Sequence, residues 1–160
     1  MKVRRIVQSD LKAMVKVYGD PDLMRYVGDS SPISREDCAR WIDITLDNYQ
    51  KRGYGLFIVE SIETGEHVGF VGVTHPGGQP EPEIKYVLLK EHWGKGMAQE
   101  LVTATCEHAH KTWMLDAIVA TVHPDNAPSN HILAKTGFVR RPDVINEDGS
   151  VTIVWAHTGP

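Results

Sequence analysis

Two glycines flank a lysine in "EHWGKGMAQE", residues 91–100, where the apolar run "IKYVLL" gives way to a stretch with helical periodicity. A helix N-terminus carries unpaired N–H groups and a partial positive charge, so such a junction attracts phosphate. Gly94 and Gly96 let the main chain approach an anion with no Cβ in the way. Lys95 adds a charge, and the small Ala98 lets the first helical turn pack close to a sheet. A tight turn that binds nothing is the competing explanation, and a short glycine motif does not separate the two. Two familiar phosphate motifs fit poorly. No GxxxxGK[ST] run exists, and a GxGxxG fingerprint would put Gln99 where its third glycine or alanine belongs.

The elements around this turn follow from pattern. "KVRRIV" reads as a first strand, and Ser9 is expected to cap a helix with Leu11, Met14, Val15 and Tyr18 on one face. Ser34 opens a second helix with an acidic first turn, a basic last turn and Gly53 beyond its end. "GLFIVES" and "HVGFVGVTH" form a hairpin about "IETGE", and "EIKYVLL" is the next strand. Ala98, Leu101, Val102, Thr105, Cys106 and Ala109 recur on one helical face. "AIVATV" is a central strand, "PSNHILAKTGF" a short helix ended by Gly137, and "VTIVWAH" the last strand. This order implies one α/β domain spanning 1–160, a mixed sheet with helices on its faces.

Composition narrows the function classes. A net charge of −4 gives no general attraction to nucleic acid or to an anionic membrane, so an anion site has to be local geometry. No run is long enough for a membrane span, and the N-terminus has no long apolar leader, which makes a cytoplasmic location the expectation. The two cysteines, Cys38 and Cys106, form no CxxC pair. Cys106 and His110 are four apart on the third helix, but His108 faces elsewhere and Cys106 lies on the apolar stripe. No metal site is therefore expected.

"EIKYVLLKEHWGKGMAQELV" resembles the acetyl-CoA-binding segment of the GNAT superfamily of N-acetyltransferases, and is most similar to its ribosomal-protein (Rim-type) branch, where a strand runs into W-G-K-G-x-A and a helix. Further on, "NAPSNHILAKTGF" resembles that branch's N-x-x-S…K-x-G-F helix. Two motifs in the right order and spacing are far more specific than either alone. The similarity is clearest over 83–138.

The resemblance implies a mostly antiparallel sheet with one splayed strand pair that admits acetyl-CoA. The pyrophosphate would sit on the main-chain amides of Trp93, Gly94, Lys95, Gly96, Met97 and Ala98. The pantetheine arm would lie along the main chain near Val87, Leu88 and Leu89, and Asn126 would contact it or hold the loop around it. Where many members carry a tyrosine acid for the departing thiolate this chain has Leu133, and the Rim-type branch offers Ser129 instead. The usual Q/R before the first glycine is Glu91, and the branch's glutamate before the lysine is Ala134.

Acetyl transfer to an amine needs an uncharged nucleophile, and amine pKa values run from about 8 to 10.4. Glu83, at the start of the strand leading to the cofactor, is the expected base, acting through water. An exposed strand-end carboxylate is its bland alternative, and Glu81 is a close rival. Ser129 has a bland reading too, as a helix cap. Trp41, Tyr49 and Tyr54 border the region that shapes the acceptor pocket in this family, and core packing is the commoner fate of such aromatics. The expected activity is direct acetyl transfer from acetyl-CoA to a primary amine, either a protein N-terminus or a small molecule. A non-catalytic acyl-CoA sensor and a nicotinamide-dependent enzyme are the rivals. The acceptor stays open because loops 19–34 and 75–82 would set it, and a homodimer stays open too.

Overall fold

The computed structural model describes residues 1–159. The chain runs β1 (Lys2–Arg5), α1 (Leu11–Tyr18), α2 (Arg35–Arg52), β2 (Leu56–Glu60), β3 (His67–Thr74) and β4 (Glu83–Leu88). It continues through α3 (Met97–Thr112), β5 (Ala117–Val122), α4 (Ala127–Lys135), β6 (Val139–Arg140), β7 (Val144–Ile145) and β8 (Val151–Thr158). The strands form one open sheet in the order β1-β2-β3-β4-β5-β8-β6, with β7 paired to β8. Every pairing is antiparallel except β4 with β5. The short strands β6 and β7 carry no pattern of their own and exist because β8 offers them an edge.

Helices cover both faces. Met14, Val17 and Tyr18 of α1 and Cys38 and Ile42 of α2 bury against Leu56, Ile58, Phe70 and Leu89. On the opposite face Val102, Cys106 and Ala109 of α3 and Leu133 of α4 pack on Val73, Ile84, Ile118, Ala120 and Val122. The apolar stripe expected for α3 is the one that is buried, through Leu101, Val102, Cys106 and Ala109. Area removed from water on both sides of one sheet is the main favourable term holding these layers together.

Helix ends follow the expectation for α2 and depart from it for α1. The Ser34 hydroxyl accepts the Asp37 N–H at 3.1 Å, and Gly53 ends α2 in the left-handed region at φ 80°. Ser9 is not the cap of α1. A 3-10 turn over 8–10 precedes that helix, and Asp10 accepts the Val7 N–H at 2.8 Å. Asp10 also receives two guanidinium nitrogens of Arg4, each at 2.8 Å, while Arg4 Nε reaches Glu60 at 2.7 Å. The Arg4 guanidinium holds the Asp10 carboxyl below its usual range. Because the folded value lies below the unfolded one of about 3.9, this stabilisation is present above that pH and is lost as pH falls through the folded value. Asp10→Asn should cost about 2 kcal/mol at pH 7. Urea denaturation should show its deficit against wild type narrowing below about pH 4.

Candidate active site

The parallel pair β4/β5 has a single rung, Glu83 opposite Val119, where the Val119 N–H donates to the Pro82 carbonyl at 2.9 Å. No ladder continues beyond it, although β4 runs on to Leu88 and β5 to Val122. Main-chain groups on the β5 side of β4 therefore lack strand partners. Which groups these are follows from the antiparallel alternation. The Leu89 N–H donates to the Val68 carbonyl at 2.9 Å, so Leu89 and, two residues back, Val87 turn their main chain towards β3. Tyr86 and Leu88 turn theirs towards the gap. Of the three residues expected to line it with main chain, only Leu88 does so, and Tyr86 joins it. The Leu88 carbonyl is occupied by the Trp93 indole N–H at 2.8 Å, which leaves its N–H.

The glycine turn has the geometry its sequence suggested. Gly94 and Gly96 have φ of 71° and 74°, a region that Cβ-bearing residues rarely adopt, and a Cβ added at either would meet nothing within 4 Å. Gly96 is the N-cap residue of α3 and supplies no side-chain cap, whereas Ser34 caps α2 and Asn126 caps α4. The Glu100 N–H is the first to return to the helix, bonding the Gly96 carbonyl at 3.1 Å. The amides of Met97, Ala98 and Gln99 precede it in the first turn, where α-helical bonding provides no acceptor. Trp93 is 54% exposed, and Lys95 folds back to donate to the Glu91 carbonyl at 2.7 Å. The dipole of a 16-residue helix adds positive potential at these amides.

Side chains alternate across β4, so the two expected catalytic residues end up on opposite faces of the gap. Glu83, Lys85 and Val87 project to the α1/α2 face, while Ile84, Tyr86 and Leu88 project to the α3/α4 face. Glu83 is 2% exposed, which overturns the picture of an exposed strand-end carboxylate. Its Oε1 accepts from Lys85 Nζ and from the Thr121 hydroxyl of β5, and its Oε2 from Gln79 Nε2 at 3.2 Å. Gln79 is held in turn through its carbonyl, 2.9 Å from His75 Nδ1, and His75 Nε2 lies 2.9 Å from the Tyr54 hydroxyl. Glu81, the rival base, is 56% exposed at its side chain and is bound by Arg141 at 2.7 Å.

Ser129 lies in the first turn of α4 but is not its cap. Asn126 is the cap, with Oδ1 accepting the Ser129 N–H at 3.2 Å, so Asn126 holds the loop. The freed Ser129 hydroxyl sits 2.6 Å from the Tyr86 hydroxyl. Burial pushes the Tyr86 phenol up to about 12. Tyr86 was not singled out from sequence. The one local sign was its place three residues after Glu83 in an alternating strand, which puts it on the face opposite the carboxylate.

The remaining candidates have other duties. Tyr54 and Tyr49 are buried, while Trp41 is partly exposed and packs edge-on against Tyr18 at 5.3 Å. Burial pushes the Cys106 thiol up to about 12 and raises Cys38 as well, so neither is a poised nucleophile. His110 bonds His157 at 2.8 Å and the Leu115 carbonyl, and His108 stands edge-on to Trp113.

A sheet parted at one parallel rung, beside an uncapped glycine turn, is the layout expected of an acetyltransferase that seats its donor between strands. The family model described as "Acetyltransferase (GNAT) domain" matches residues 1–139, and the chain belongs to this family. The chain is 29% identical over 138 residues to a Bacillus subtilis protein named "Uncharacterized N-acetyltransferase YoaA", covering 85% of this chain and 77% of that one. An acetyltransferase from Agrobacterium tumefaciens superposes with a TM-score of 0.84 at 25% identity, over 98% of this chain and 90% of that one. A ribosomal-protein-S5-alanine acetyltransferase from Vibrio fischeri shares the fold at a TM-score of 0.81 and 21% identity, covering 98% and 91% of the two chains. The activity that goes with this membership is acetyl-CoA-dependent N-acetyl transfer, which replaces the sensor alternative.

Proposed function

We propose that the protein moves the acetyl group of acetyl-CoA directly onto a primary amine at the parted end of β4 and β5, with a protein N-terminus or a small-molecule amine as acceptor. The observation that carries this reading is the single β4/β5 rung at Glu83, which leaves strand main chain open beside the uncapped N-terminus of α3. The pyrophosphate is assigned to the amides from Gly94 to Ala98, since the Trp93 N–H expected to join them donates to the Lys90 carbonyl at 3.1 Å, and the pantetheine amides are assigned to the main chain of Tyr86 and Leu88. Glu83 removes the amine proton on the α1/α2 face. Ser129 stabilises the departing sulfur on the α3/α4 face. An amine entering from the α1/α2 side would thus meet the thioester across the gap, with base and sulfur stabiliser on either side of the bond being exchanged.

The acceptor side is framed by the loops that would set specificity. Tyr26, from the 19–34 loop, packs on His123 just after β5 at 5.3 Å between ring centroids. Gln79, from the 75–82 loop, touches the base itself. A cytoplasmic location fits the composition, and no helix among the described residues is long and apolar enough to cross a membrane.

Incubation with acetyl-CoA and a panel of amines, with thiol release followed and products identified by mass spectrometry, tests the reading. A mass gain of one acetyl group on an amine is the expected result, and thiol release with no acetylated product would refute it. The donor placement has its own test. Gly96→Glu puts a carboxylate where the pyrophosphate belongs, so CoA should no longer raise the melting temperature of that variant. Unchanged CoA affinity in a folded Gly96→Glu protein would refute the placement.

A further inference from the structure

Tyr86 and Ser129 make a polar bridge across the parted strands. Tyr86 stands on β4, and Ser129 stands on the helix that follows β5, so their 2.6 Å contact spans the α3/α4 side of the gap. Each hydroxyl has one proton, and only one can lie between the two oxygens. The direction of that hydrogen bond decides whether Ser129 has a proton left for anything else.

Three observations give the direction. A phenol is a stronger acid than an alkyl alcohol, so it is the better donor of the two and the serine oxygen the better acceptor. The half-buried ring keeps its proton, because desolvation disfavours the phenolate. The remaining acceptor near Tyr86, the Ser129 carbonyl, lies at 3.5 Å, well outside the distance of the hydroxyl contact. Donation from Tyr86 to Ser129 Oγ is therefore the favoured arrangement, and it leaves the Ser129 proton free to turn away from Tyr86.

We propose that Tyr86 is a positioning residue for acetyl transfer: its hydroxyl fixes the Ser129 rotor so that the Ser129 proton points into the β4/β5 gap, at the leaving sulfur. This rests on the acetyl-transfer reading above. The carbon–sulfur bond breaks as the nitrogen–carbon bond forms, and the sulfur takes the electron pair. Ser129 donates its hydrogen bond to that thiolate while Tyr86 donates to Ser129. Tyr86 keeps its proton throughout, and the thiolate finally takes its proton from water.

A double-mutant cycle reads this directly. Tyr86→Phe keeps the ring and its packing and removes only the donor, so its melting temperature should stay near that of wild type. Its kcat should fall about tenfold while KM for acetyl-CoA changes less than about twofold. On a Ser129→Ala background the same substitution should cost no more than about twofold further, because the rotor it positions is already gone. Far-UV circular dichroism and melting temperature confirm that each variant is folded before its kinetics are read. A Tyr86→Phe protein with wild-type kcat overturns the proposal, as does an equal loss on both backgrounds, which would make Tyr86 a direct donor or a separate packing residue. A wild-type enzyme that acetylates no amine in the panel would instead refute the acetyl-transfer reading itself, and this inference with it.

Discussion

Glu83→Gln lowers kcat by roughly 10²-fold or more at neutral pH, if the carboxylate takes the amine proton directly or through one water. Glutamine keeps the shape and can still accept a hydrogen bond from Thr121, but its amide is not a proton acceptor of useful basicity. The deficit should shrink as pH rises, because the free amine becomes neutral without help near its own pKa, about 8 for an α-amine and 10.4 for a lysine. The structure sharpens this test in two ways. Glu83 is buried at the vertex where β4 and β5 part and is held by Lys85, Thr121 and Gln79, so its orientation is fixed before any acceptor arrives. Glu81 points to solvent and is bound by Arg141, so Glu81→Gln should keep its kcat within about twofold of wild type. Because Glu83→Gln also leaves Lys85 without its carboxylate, melting temperature has to be measured alongside. A less stable protein whose pH–rate profile matches wild type would make Glu83 a structural ion-pair member and end its assignment as the base.

The parts of this site that were legible in the sequence are the ones local chemistry determines. Gly94 and Gly96 announce a Cβ-free main chain at a strand-to-helix junction, and the stripe from Leu101 to Ala109 announces which face of α3 is buried. The illegible parts depend on partners distant along the chain. Glu83 looks like a strand-end carboxylate until Thr121, 38 residues away, reaches it from β5. Tyr86 looks like one more alternating strand residue until α4 brings Ser129 against it, 43 residues on. Register mattered as much as proximity. By sequence Val87 and Leu89 are as good as Leu88 for contacting a cofactor by main chain, and only the structure shows that the Leu89 N–H is spent on Val68 of β3 and its carbonyl on the His92 N–H, with Val87 facing β3 by alternation. Helix caps divided the same way. Ser34 satisfies α2 within its own turn and Asn126 takes that role in α4 in place of Ser129, whereas α1 has no side-chain cap: Ser9 falls inside a 3-10 turn, and Asp10 turns its carboxylate back to the Val7 N–H.

Ser129→Ala should cut kcat by about 10- to 10³-fold, a loss of roughly 1.4–4 kcal/mol in transition-state stabilisation. When the carbon–sulfur bond breaks, negative charge collects on sulfur, and a hydroxyl aimed there can donate to it. Serine is a poor acid, so a hydrogen bond to the thiolate accounts for this magnitude better than complete proton transfer does. The competing explanation, that Ser129 matters only as a cap, is weakened by the Asn126 side chain holding that position, since Ser129→Ala keeps the main-chain N–H that Asn126 accepts. What alanine does remove is the partner of the Tyr86 hydroxyl, a half-buried donor whose next acceptor lies 3.5 Å away. That should cost about 1 kcal/mol of stability. KM for acetyl-CoA should change little, because the pyrophosphate and pantetheine are assigned to main-chain groups that the substitution leaves in place. Melting temperature and kcat measured on one preparation separate the two roles. A modest loss of stability with turnover intact would leave Ser129 as no more than the hydrogen-bond partner of Tyr86, and would return the departing sulfur to solvent water.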